Sequence, residues 1–251
     1  MISSEKNYRP PLDVRMDQQA LDLPSLPNPV QYFSMAVFRN NLYAAGGLHR
    51  DNNAQKIRDN RVYKLNLKLV RDVNGTLYVK EDLAWEKMPN LTYPRSSLNC
   101  HSIDDILYCF GGTLQDGSRT NQVEELHASM AITGFGRGDG KHWVKGIPMS
   151  KPRTMFSSTV FERRIYATGG KSGDYDVEKT VDVFYADENR WQLLPMEMTM
   201  ARYYHSTFIL NGALIVRGGS TNNQQLQAKT QQSLEILYLK KNIYYVSIKK
   251  I

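Results

Sequence analysis

The stretch Arg202–Gly219, RYYHSTFILNGALIVRGG, contains two apolar runs of strand length separated by a tight turn. The first run is Tyr203–Leu210 and the second is Ala213–Val216. Asn211-Gly212 between them is the dipeptide best suited to a type I′ hairpin turn, because both central residues of that turn need positive φ. Gly218-Gly219 closes the second run, and a glycine pair there marks backbone that bends sharply or approaches another backbone closely. We therefore predict a β-hairpin that ends in a glycine pair.

The same pattern occurs three more times along the chain. The other copies are Val30–Gly47 (VQYFSMAVFRNNLYAAGG), Arg95–Gly112 (RSSLNCHSIDDILYCFGG) and Arg153–Gly170 (RTMFSSTVFERRIYATGG). In every copy the first glycine of the pair lies 16 residues after the opening residue, which is Arg in three copies and Val30 in the first. Agreement at this level over four copies predicts a repeated structural unit.

Each repeat has two further landmarks outside the hairpin. A short strand follows each glycine pair, and a Trp then precedes a Pro by a few residues; these pairs are Trp85 and Pro89, Trp143 and Pro148, Trp191 and Pro195, with Ala20 and Pro24 in the equivalent places at the N-terminus. We therefore expect four antiparallel strands per repeat, named a to d in chain order. The glycine pairs are 65, 58 and 49 residues apart, so the strands are constant and the loops between them vary in length.

A four-stranded repeat with a glycine pair after its second strand resembles the kelch repeat. The resemblance runs from about Asp13 to the C-terminus, and its clearest full period is Arg153–Pro195. It implies an all-β fold, a kelch-type β-propeller with about four blades of four antiparallel strands.

The repeats divide the chain into a tail and a repeat domain. We predict a disordered tail over residues 1–12 and a kelch repeat domain over residues 13–251, with blades at about 30–88, 95–149, 153–196 and 202–248. Residues 13–24 are expected to form an extra strand d, and the polar stretch 220–232 to form a loop. The extra strand could close a four-bladed ring, or the chain could form an open, incomplete propeller. We favour the open arc, which leaves the inner faces of its end blades free to associate.

Composition and charge exclude several classes of protein. The chain is 41% apolar and 23% charged, as in globular domains, and its longest apolar runs have strand length, which predicts no membrane segment. The N-terminal residues contain no apolar core of a secretory signal, so we expect a cytoplasmic or nuclear location. The net charge of +7 fits an acidic partner or simply a soluble domain. No basic cluster is interleaved with aromatic residues, so we expect no nucleic-acid partner.

The two cysteines fall on one predicted hairpin. If Asp104-Asp105 forms the turn, Cys100 and Cys109 lie opposite each other at a non-hydrogen-bonded position, where side chains approach most closely. A disulfide is geometrically allowed there. We nevertheless favour two reduced, half-buried thiols, because two cysteines in an intracellular chain do not suggest a disulfide framework.

The candidate binding residues are expected on the face that carries the d–a and b–c loops, because loops on a rigid scaffold converge there. In kelch adaptors that resemble this chain, an arginine at the start of strand a pairs with acidic groups of a bound peptide, which implies the same role for Arg95, Arg153 and Arg202. The alternative is that each arginine packs along its stem and bonds a loop carbonyl. The other expected partner-binding residues are His49, Arg50, Arg119, Tyr175 and Ser206.

Catalytic and metal sites are poorly supported. The histidines are scattered without paired His or Cys spacing, so we expect no metal site, no cofactor and no catalytic residues. Iron-dependent specifier proteins with kelch repeats carry a Glu, Asp, His set, of which Glu178 and Asp182 match while Ala186 replaces the His. We therefore predict a non-enzymatic protein–protein interaction module. A kelch-fold enzyme with a site at the axial mouth and a truncated fragment without independent function remain the alternatives.

The resemblance also suggests what such a module does. It implies substrate recognition for a cullin-type ubiquitin ligase, or cytoskeletal attachment. A BTB domain, usual in such adaptors, is absent from this sequence, so a ligase role would need another chain or a longer gene product. The expected partners are an acidic segment of a protein and, through open propeller edges, a second copy of the chain.

Overall fold

The computed structural model describes residues 23–66, 69–71, 77–79, 83–128, 142–224, 227, 230, 231, 233–240 and 243–249. The predicted tail, residues 1–12, lies outside these ranges, as does the predicted extra strand except for its last two residues. The described residues form four sheets of four strands each, with the strands of every sheet in chain order. This is the predicted all-β propeller arrangement of four antiparallel blades.

The main strands of the blades are these. Blade 1 contains β1 (Ser34–Phe38), β2 (Asn41–Ala45), β5 (Val62–Asn66) and β8 (Trp85–Met88). Blade 2 contains β10 (Asn99–Ile103), β11 (Ile106–Phe110), β13 (Val123–His127) and β14 (Val144–Lys145). Blade 3 contains β15 (Ser157–Phe161), β16 (Arg164–Thr168), β17 (Thr180–Tyr185) and β18 (Arg190–Glu197). Blade 4 contains β19 (Ser206–Leu210), β20 (Ala213–Arg217), β21 (Leu234–Lys240) and β22 (Ile243–Lys249). The first strand of each blade contacts the first strand of the next, so strand a is innermost.

The loops between the main strands contain additional short strands. The b–c loop of blade 1 folds back on itself as a hairpin of β3 (Leu48–Arg50) and β4 (Lys56–Arg58). A second hairpin, β6 (Leu69–Arg71) with β7 (Leu77–Val79), extends the c–d connection of that blade, and β9 (Arg95–Ser96) pairs with β12 (Thr113–Leu114) in blade 2. The loop expected over 220–232 is wrong in part, because the backbone is helical at Gln224, Gln227, Thr230 and Gln231.

The a–b turns have the predicted geometry. Asn211 (φ 51°) and Gly212 (φ 72°) both take positive φ between β19 and β20, as a type I′ turn requires. Arg39-Asn40 and Glu162-Arg163 do the same in blades 1 and 3. The turn residues therefore fix the register of the two inner strands in these blades.

The prediction of two free thiols is wrong, because Cys100 and Cys109 form a disulfide. Their predicted placement is confirmed: they are directly opposite on β10 and β11, with Cα atoms 4.1 Å apart. The Cys100 N–H points away from β11 and donates to the Ser34 hydroxyl of blade 1 at 2.8 Å, as expected at a non-hydrogen-bonded pair. The geometry at that position allowed the bond, and the prediction was wrong because it gave more weight to the assumed intracellular location.

Three hydrophobic cores hold neighbouring blades together. The core between blades 1 and 2 contains Phe38 and Leu107 and also the disulfide. The core between blades 2 and 3 includes Phe110 and Phe184, and the core between blades 3 and 4 is formed by the residues Tyr166, Val181, Val183, Leu194, Met196, Met198, Leu214, Val216 and Leu237. Within the described residues, one hydrophobic core therefore joins each blade to the next, which gives three cores between four blades.

The tryptophans link each blade to the preceding Pro segment. The Trp143 indole N–H donates to the Pro89 carbonyl at 2.8 Å, and the Trp85 indole donates to the Pro24 carbonyl at the same distance. Pro24 thus occupies the place that its sequence position suggested. The indole N–H of Trp191 is buried without a partner among the described residues.

The glycine pairs are the points where blades touch most closely. A Cβ atom on Gly111 would lie 2.8 Å from the Arg153 carbonyl oxygen of the next blade, and one on Gly169 would lie 2.7 Å from the His205 ring. In the first three blades, the second glycine of the pair donates its N–H to the carbonyl of the next opening arginine; these bonds are Gly47 to Arg95 (2.9 Å), Gly112 to Arg153 (2.7 Å) and Gly170 to Arg202 (2.8 Å). The glycine pair is therefore an interface motif as well as a strand end.

Candidate protein-binding face

The three opening arginines are buried, so the expectation that they contact a partner is wrong. Their side chains have 0% of their area exposed. In each, the guanidinium Nη1 donates to the carbonyl of the first glycine of its own blade, at 3.2 Å for Arg95, 2.7 Å for Arg153 and 2.7 Å for Arg202. The alternative role, a bond to a loop carbonyl, is confirmed.

Each arginine lies beside an acidic residue at one position of strand c. Arg95 bonds Glu124 at 2.5 Å, and Arg202 forms an ion pair with Glu235 in which both side chains are fully buried. Asp182 holds the equivalent place in blade 3, where burial raises its carboxyl pKa. The three acids also accept a backbone N–H from the d–a loop, namely from Thr92 (2.6 Å), Ser150 (2.8 Å) and Thr199 (2.6 Å). These charges hold the blade together.

The first blade lacks both members of this pair. Val30 replaces the arginine and Tyr63 replaces the acid, and the Tyr63 hydroxyl instead accepts a hydrogen bond from the Asn28 side chain at 2.6 Å. The sequence therefore shows that the arginine and the acid are replaced together. It indicates that each arginine has its partner inside its own repeat.

The exposed candidates lie on the b–c loops, which bond to one another around the face. The Arg58 N–H donates to the Gln115 side chain at 2.8 Å and so ties the loop of blade 1 to that of blade 2. Arg119 pairs with Asp174 between blades 2 and 3. The Asn222 side chain donates to the Tyr175 carbonyl at 2.9 Å between blades 4 and 3. We call these four linked loops the rim.

The structure brings four of the remaining predicted residues to the rim and leaves one apart. His49 and Arg50 lie on β3, where Arg50 is exposed and its guanidinium donates to the Ala54 carbonyl at 2.7 Å. Arg119 is half-buried by its ion pair, whereas Tyr175 is 89% exposed. Ser206 is exposed at the start of β19, on the side of blade 4 directed away from blade 3.

A groove of about 720 Å³ opens beside the β3–β4 hairpin. Its basic lining consists of His49, Arg50, Lys56 and Arg61. Arg61 is already engaged by Asp59, whereas Arg50 and Lys56 have no ion pair among the described residues. Sequence reasoning missed Lys56, because nothing in the long polar loop showed that β4 folds back beside β3.

Arg58 and Arg119 lie near each other on the rim, with Asp116 close to Arg58. Burial lowers the pKa of Arg58, and the neighbouring Arg119 guanidinium lowers it further. The two guanidinium groups therefore lie close enough to repel each other.

The axial mouth is lined by one residue from each blade. Tyr32, Ser97, Met155 and Tyr204 lie two residues after the opening positions, and all four have positive φ (57°, 55°, 56° and 55°). They line a cavity of about 280 Å³, over which the Tyr32 and Tyr204 rings stack with centroids 6.3 Å apart. His205 also lines this cavity, and burial lowers its pKa to about 3, so it is neutral at neutral pH. Among the residues that the structure describes, no group of three or more His, Cys, Asp or Glu could hold a metal.

Comparisons with known proteins agree with this architecture. A sequence model of the Kelch motif matches residues 152–195. Kelch repeat and BTB domain-containing protein 1 of Vaccinia virus (strain Copenhagen) is 25% identical over 193 residues, which cover 76% of this chain and 29% of that protein. Kelch repeat and BTB domain-containing protein 2 of Cowpox virus (strain Brighton Red) is 29% identical over 132 residues, which cover 52% of this chain and 22% of that protein.

A vertebrate protein and a solved structure extend the likeness. Kelch-like protein 41a of Danio rerio is 23% identical over 227 residues, covering 88% of this chain and 33% of that protein. The chain thus spans between 22% and 33% of the length of these curated relatives. The solved structure of YjhT has a TM-score of 0.64 and 16% identity, with 90% of this chain matched to 67% of that one. The chain therefore carries a Kelch motif within a β-propeller fold that is similar to that of kelch-repeat proteins.

Proposed function

We propose that this chain is a non-enzymatic protein-interaction module whose rim binds an acidic segment of a partner protein. The observation that carries the proposal is that all four b–c loops are bonded into one rim that still exposes basic and aromatic side chains, Arg50, Lys56 and Tyr175. A surface that is ordered before binding loses little conformational entropy when the partner arrives.

The charges around the blade 1 groove support an acidic partner. Arg50 and Lys56 lie on facing strands, paired directly in the β3–β4 hairpin. The Asp59 carboxylate is bonded to the groove residue Arg61 through both oxygens, at 2.8 Å from Nε in each case. Carboxylates of a partner would therefore meet two cations that lack an ion pair among the described residues, which favours fast and selective association.

Tyr175 supplies an aromatic anchor on another part of the rim, the b–c loop of blade 3. It is the most exposed of the large apolar side chains described, and its own backbone carbonyl is fixed by Asn222. An aromatic side chain on a fixed backbone buries much area at small entropic cost when a partner covers it. We propose that Tyr175 and Arg119 contact the part of the partner that extends beyond the groove.

In the cell, we propose substrate recognition for a cullin-type ubiquitin ligase, with cytoskeletal attachment as the second candidate. The support is the likeness to viral proteins whose names combine Kelch repeats with a BTB domain. The BTB function would come from another chain or from a longer gene product. A cytoplasmic or nuclear location belongs to the same proposal. No helix among the described residues is long and apolar enough to cross a membrane.

A peptide-display experiment tests the binding proposal. We expect the purified chain to enrich Asp- and Glu-rich segments from a random display library, and the double variant Arg50→Glu/Lys56→Glu to weaken their binding at least about tenfold. A matched charge reversal, Lys87→Glu/Lys145→Glu on the exposed outer strands β8 and β14, should leave binding nearly unchanged. Absence of acidic enrichment, or equal loss in both double variants, would contradict a specific rim site.

A further inference from the structure

We infer that the acidic segment of the partner binds as an extended strand along the outer edge of β4, where its backbone takes the place of the Gln115 side chain. The inference rests on the proposed function of the rim and adds to it the mode of recognition and the sequence pattern that is selected. Its support is the way in which the rim already completes this edge with a side-chain amide.

The outer edge of β4 carries the backbone groups of Lys56 and Arg58. Across the β3–β4 hairpin, the Asp59 N–H donates to the Gly47 carbonyl at 2.9 Å. Backbone groups alternate between the two edges of an antiparallel strand, so those of Ile57 also point toward β3, whereas those of Lys56 and Arg58 point outward. This outer edge is therefore the one on which a further strand can pair.

The Gln115 side chain, from the b–c loop of blade 2, occupies this edge as a peptide group would. Its amide nitrogen donates to the Lys56 carbonyl at 3.2 Å, and its amide oxygen accepts the Arg58 N–H at 2.8 Å. The two bonds flank Ile57, and one residue of a parallel strand opposite Ile57 would make the same pair of bonds. Both Gln115 and Lys56 are exposed, so a partner's backbone can reach this edge without opening a core.

Replacing Gln115 exchanges two hydrogen bonds for the longer row that a strand makes. A strand added to a sheet edge gains affinity from main-chain hydrogen bonds and specificity from side chains at alternate positions. The released Gln115 amide lies at the surface, where water can solvate it. Its displacement therefore leaves no buried polar group unpaired.

Three cations lie on one face of the hairpin. Arg50 and Lys56 are directly opposite each other, and Arg58 follows Lys56 by two residues, so the three side chains share that face. A strand beside β4 places every second side chain of its own next to this face. Acidic residues at positions i and i+2 of the partner would therefore lie beside Lys56 and Arg58.

A carboxylate of the rim makes these two cations unequal. Asp116 is close enough to Arg58 to favour its charged form, against burial and the Arg119 guanidinium, which lower the pKa of Arg58. The Asp116 carboxylate stays on the rim because it accepts the Ser118 N–H at 2.9 Å and the Ser118 hydroxyl at 2.7 Å. It repels an acidic residue placed beside Arg58, so Lys56 should contribute more to binding than Arg58 does.

Ile57 selects the residue between the two acidic positions. Its side chain lies on the opposite face of the hairpin from Lys56 and is half-buried. The partner residue opposite Ile57 shares that face, so an apolar or β-branched side chain would pack against it. The expected pattern is acidic, apolar, acidic, which differs from a run of consecutive acidic residues.

A backbone scan of a captured peptide tests the mode of binding on the natural chain. The probe is an enriched acidic display peptide, synthesised with one N-methyl group at each residue in turn. Methylation of the residue between the acidic positions removes the donor to the Lys56 carbonyl, so we expect at least about tenfold weaker binding. Methylation of either flanking acidic residue, whose N–H points away from β4, should change binding by less than about threefold.

The variant Gln115→Ala tests the displacement from the side of the protein. Without the competing amide, the same peptide should bind about threefold to tenfold tighter. Gln192→Ala is the matched control, because Gln192 is exposed on β18 and its side-chain oxygen accepts from Arg190 rather than from a strand edge. The control should bind the peptide like the natural chain.

Two results would overturn the inference: equal tolerance of N-methyl groups along the peptide, or peptide binding by Gln115→Ala that is no tighter than by the natural chain. Neither result contradicts the proposed function if acidic peptides are enriched and Arg50→Glu/Lys56→Glu weakens their capture. If no acidic peptide is enriched, the rim proposal fails and the strand pairing fails with it.

Discussion

The junction between blades 3 and 4 and the free end of blade 4 use equivalent residues in two different environments. At the junction, Gly169 and Gly170 are buried, and Gly170 donates its N–H to the Arg202 carbonyl at 2.8 Å. At the free end, Gly218 and Gly219 are half-buried, and the space beside Gly218 is open. The repeat therefore keeps its interface residues even where the described chain offers no neighbour. In repeat proteins, interface terms and intrinsic repeat terms contribute separately to stability, and this chain allows the two to be compared.

The largest expected effect lies inside the blades and should not depend on the end. Arg202→Ala leaves Glu235 buried without its partner, so we expect the free energy of unfolding to fall by about 3 to 5 kcal/mol. Arg95→Ala in joined blade 2 should cost a similar amount, because its Glu124 is equally buried. Urea denaturation followed by tryptophan fluorescence measures both losses. Arg50→Ala on the exposed rim should change stability by less than about 0.5 kcal/mol. If Arg202→Ala lowered the free energy of unfolding by less than the rim control Arg50→Ala, the buried ion pair would be dispensable for stability.

The glycine pairs should distinguish the junction from the end. Gly169→Ala places a Cβ against the Arg202 carbonyl and the His205 ring at positive φ, so we expect a loss of about 3 kcal/mol from strain and overpacking together. Gly218→Ala has the same backbone strain but meets open space, so we expect only about 1 kcal/mol. The same urea titration measures both. Equal losses would mean that the blade 4 end is covered in solution.

The disulfide should contribute less than the buried arginines. Reduction of Cys100–Cys109 releases a short loop inside a hairpin, and we expect a loss of about 2 kcal/mol. Thermal unfolding with and without a reductant measures it, and the Cys100→Ala/Cys109→Ala variant should show no response to the reductant. Thiol titration of the natural chain under unfolding conditions should find no free thiol, and two free thiols would contradict the bond.

The joined interfaces should also make stability depend on pH. His101 bonds Ser158 across the junction of blades 2 and 3 at 2.9 Å, and burial lowers its pKa to about 4. His205 bonds Thr168 across the next junction at 2.8 Å, with its pKa lowered to about 3. Both imidazoles stay neutral in the folded chain while the unfolded chain takes up protons below its ordinary histidine pKa.

Stability should therefore be full above about pH 6.5 and fall as the pH drops from there toward 4, by up to about 1.4 kcal/mol per pH unit for each histidine. Urea titrations at roughly pH 7.0, 6.0 and 5.5 measure how the free energy of unfolding changes with pH at the start of this range. The variant His101→Gln/His205→Gln should lose most of it. An unchanged slope in that variant would assign the pH dependence to other groups.

The strands, turns and glycine pairs could be predicted because the sequence contains four copies of the same pattern. Asn211-Gly212 specifies its turn locally, and the glycine pairs specify positive φ locally. The position of Cys100 opposite Cys109 followed from the same register. The state of that pair could not be read in this way, because it was inferred from an assumed compartment.

The candidate site was less predictable because it depends on contacts between distant residues. Whether Arg95 points into solvent or into the blade is decided by Glu124 on strand c, and the pattern of the inner hairpin does not contain that acid. Lys56 reaches the groove only because β4 folds back beside β3. By contrast, Tyr175 could be placed from sequence, because a polar, glycine-containing loop exposes an aromatic residue whatever its neighbours are.

Amide hydrogen exchange at the glycine pairs tests the open arc most directly. In the natural chain, the amides of Gly47, Gly112 and Gly170 should be strongly protected, since each is bonded to the next blade. The Gly219 amide should exchange at least about a hundredfold faster than these three. Protection of Gly219 equal to theirs in the monomer would show that the four blades close on themselves, which would contradict the open arc.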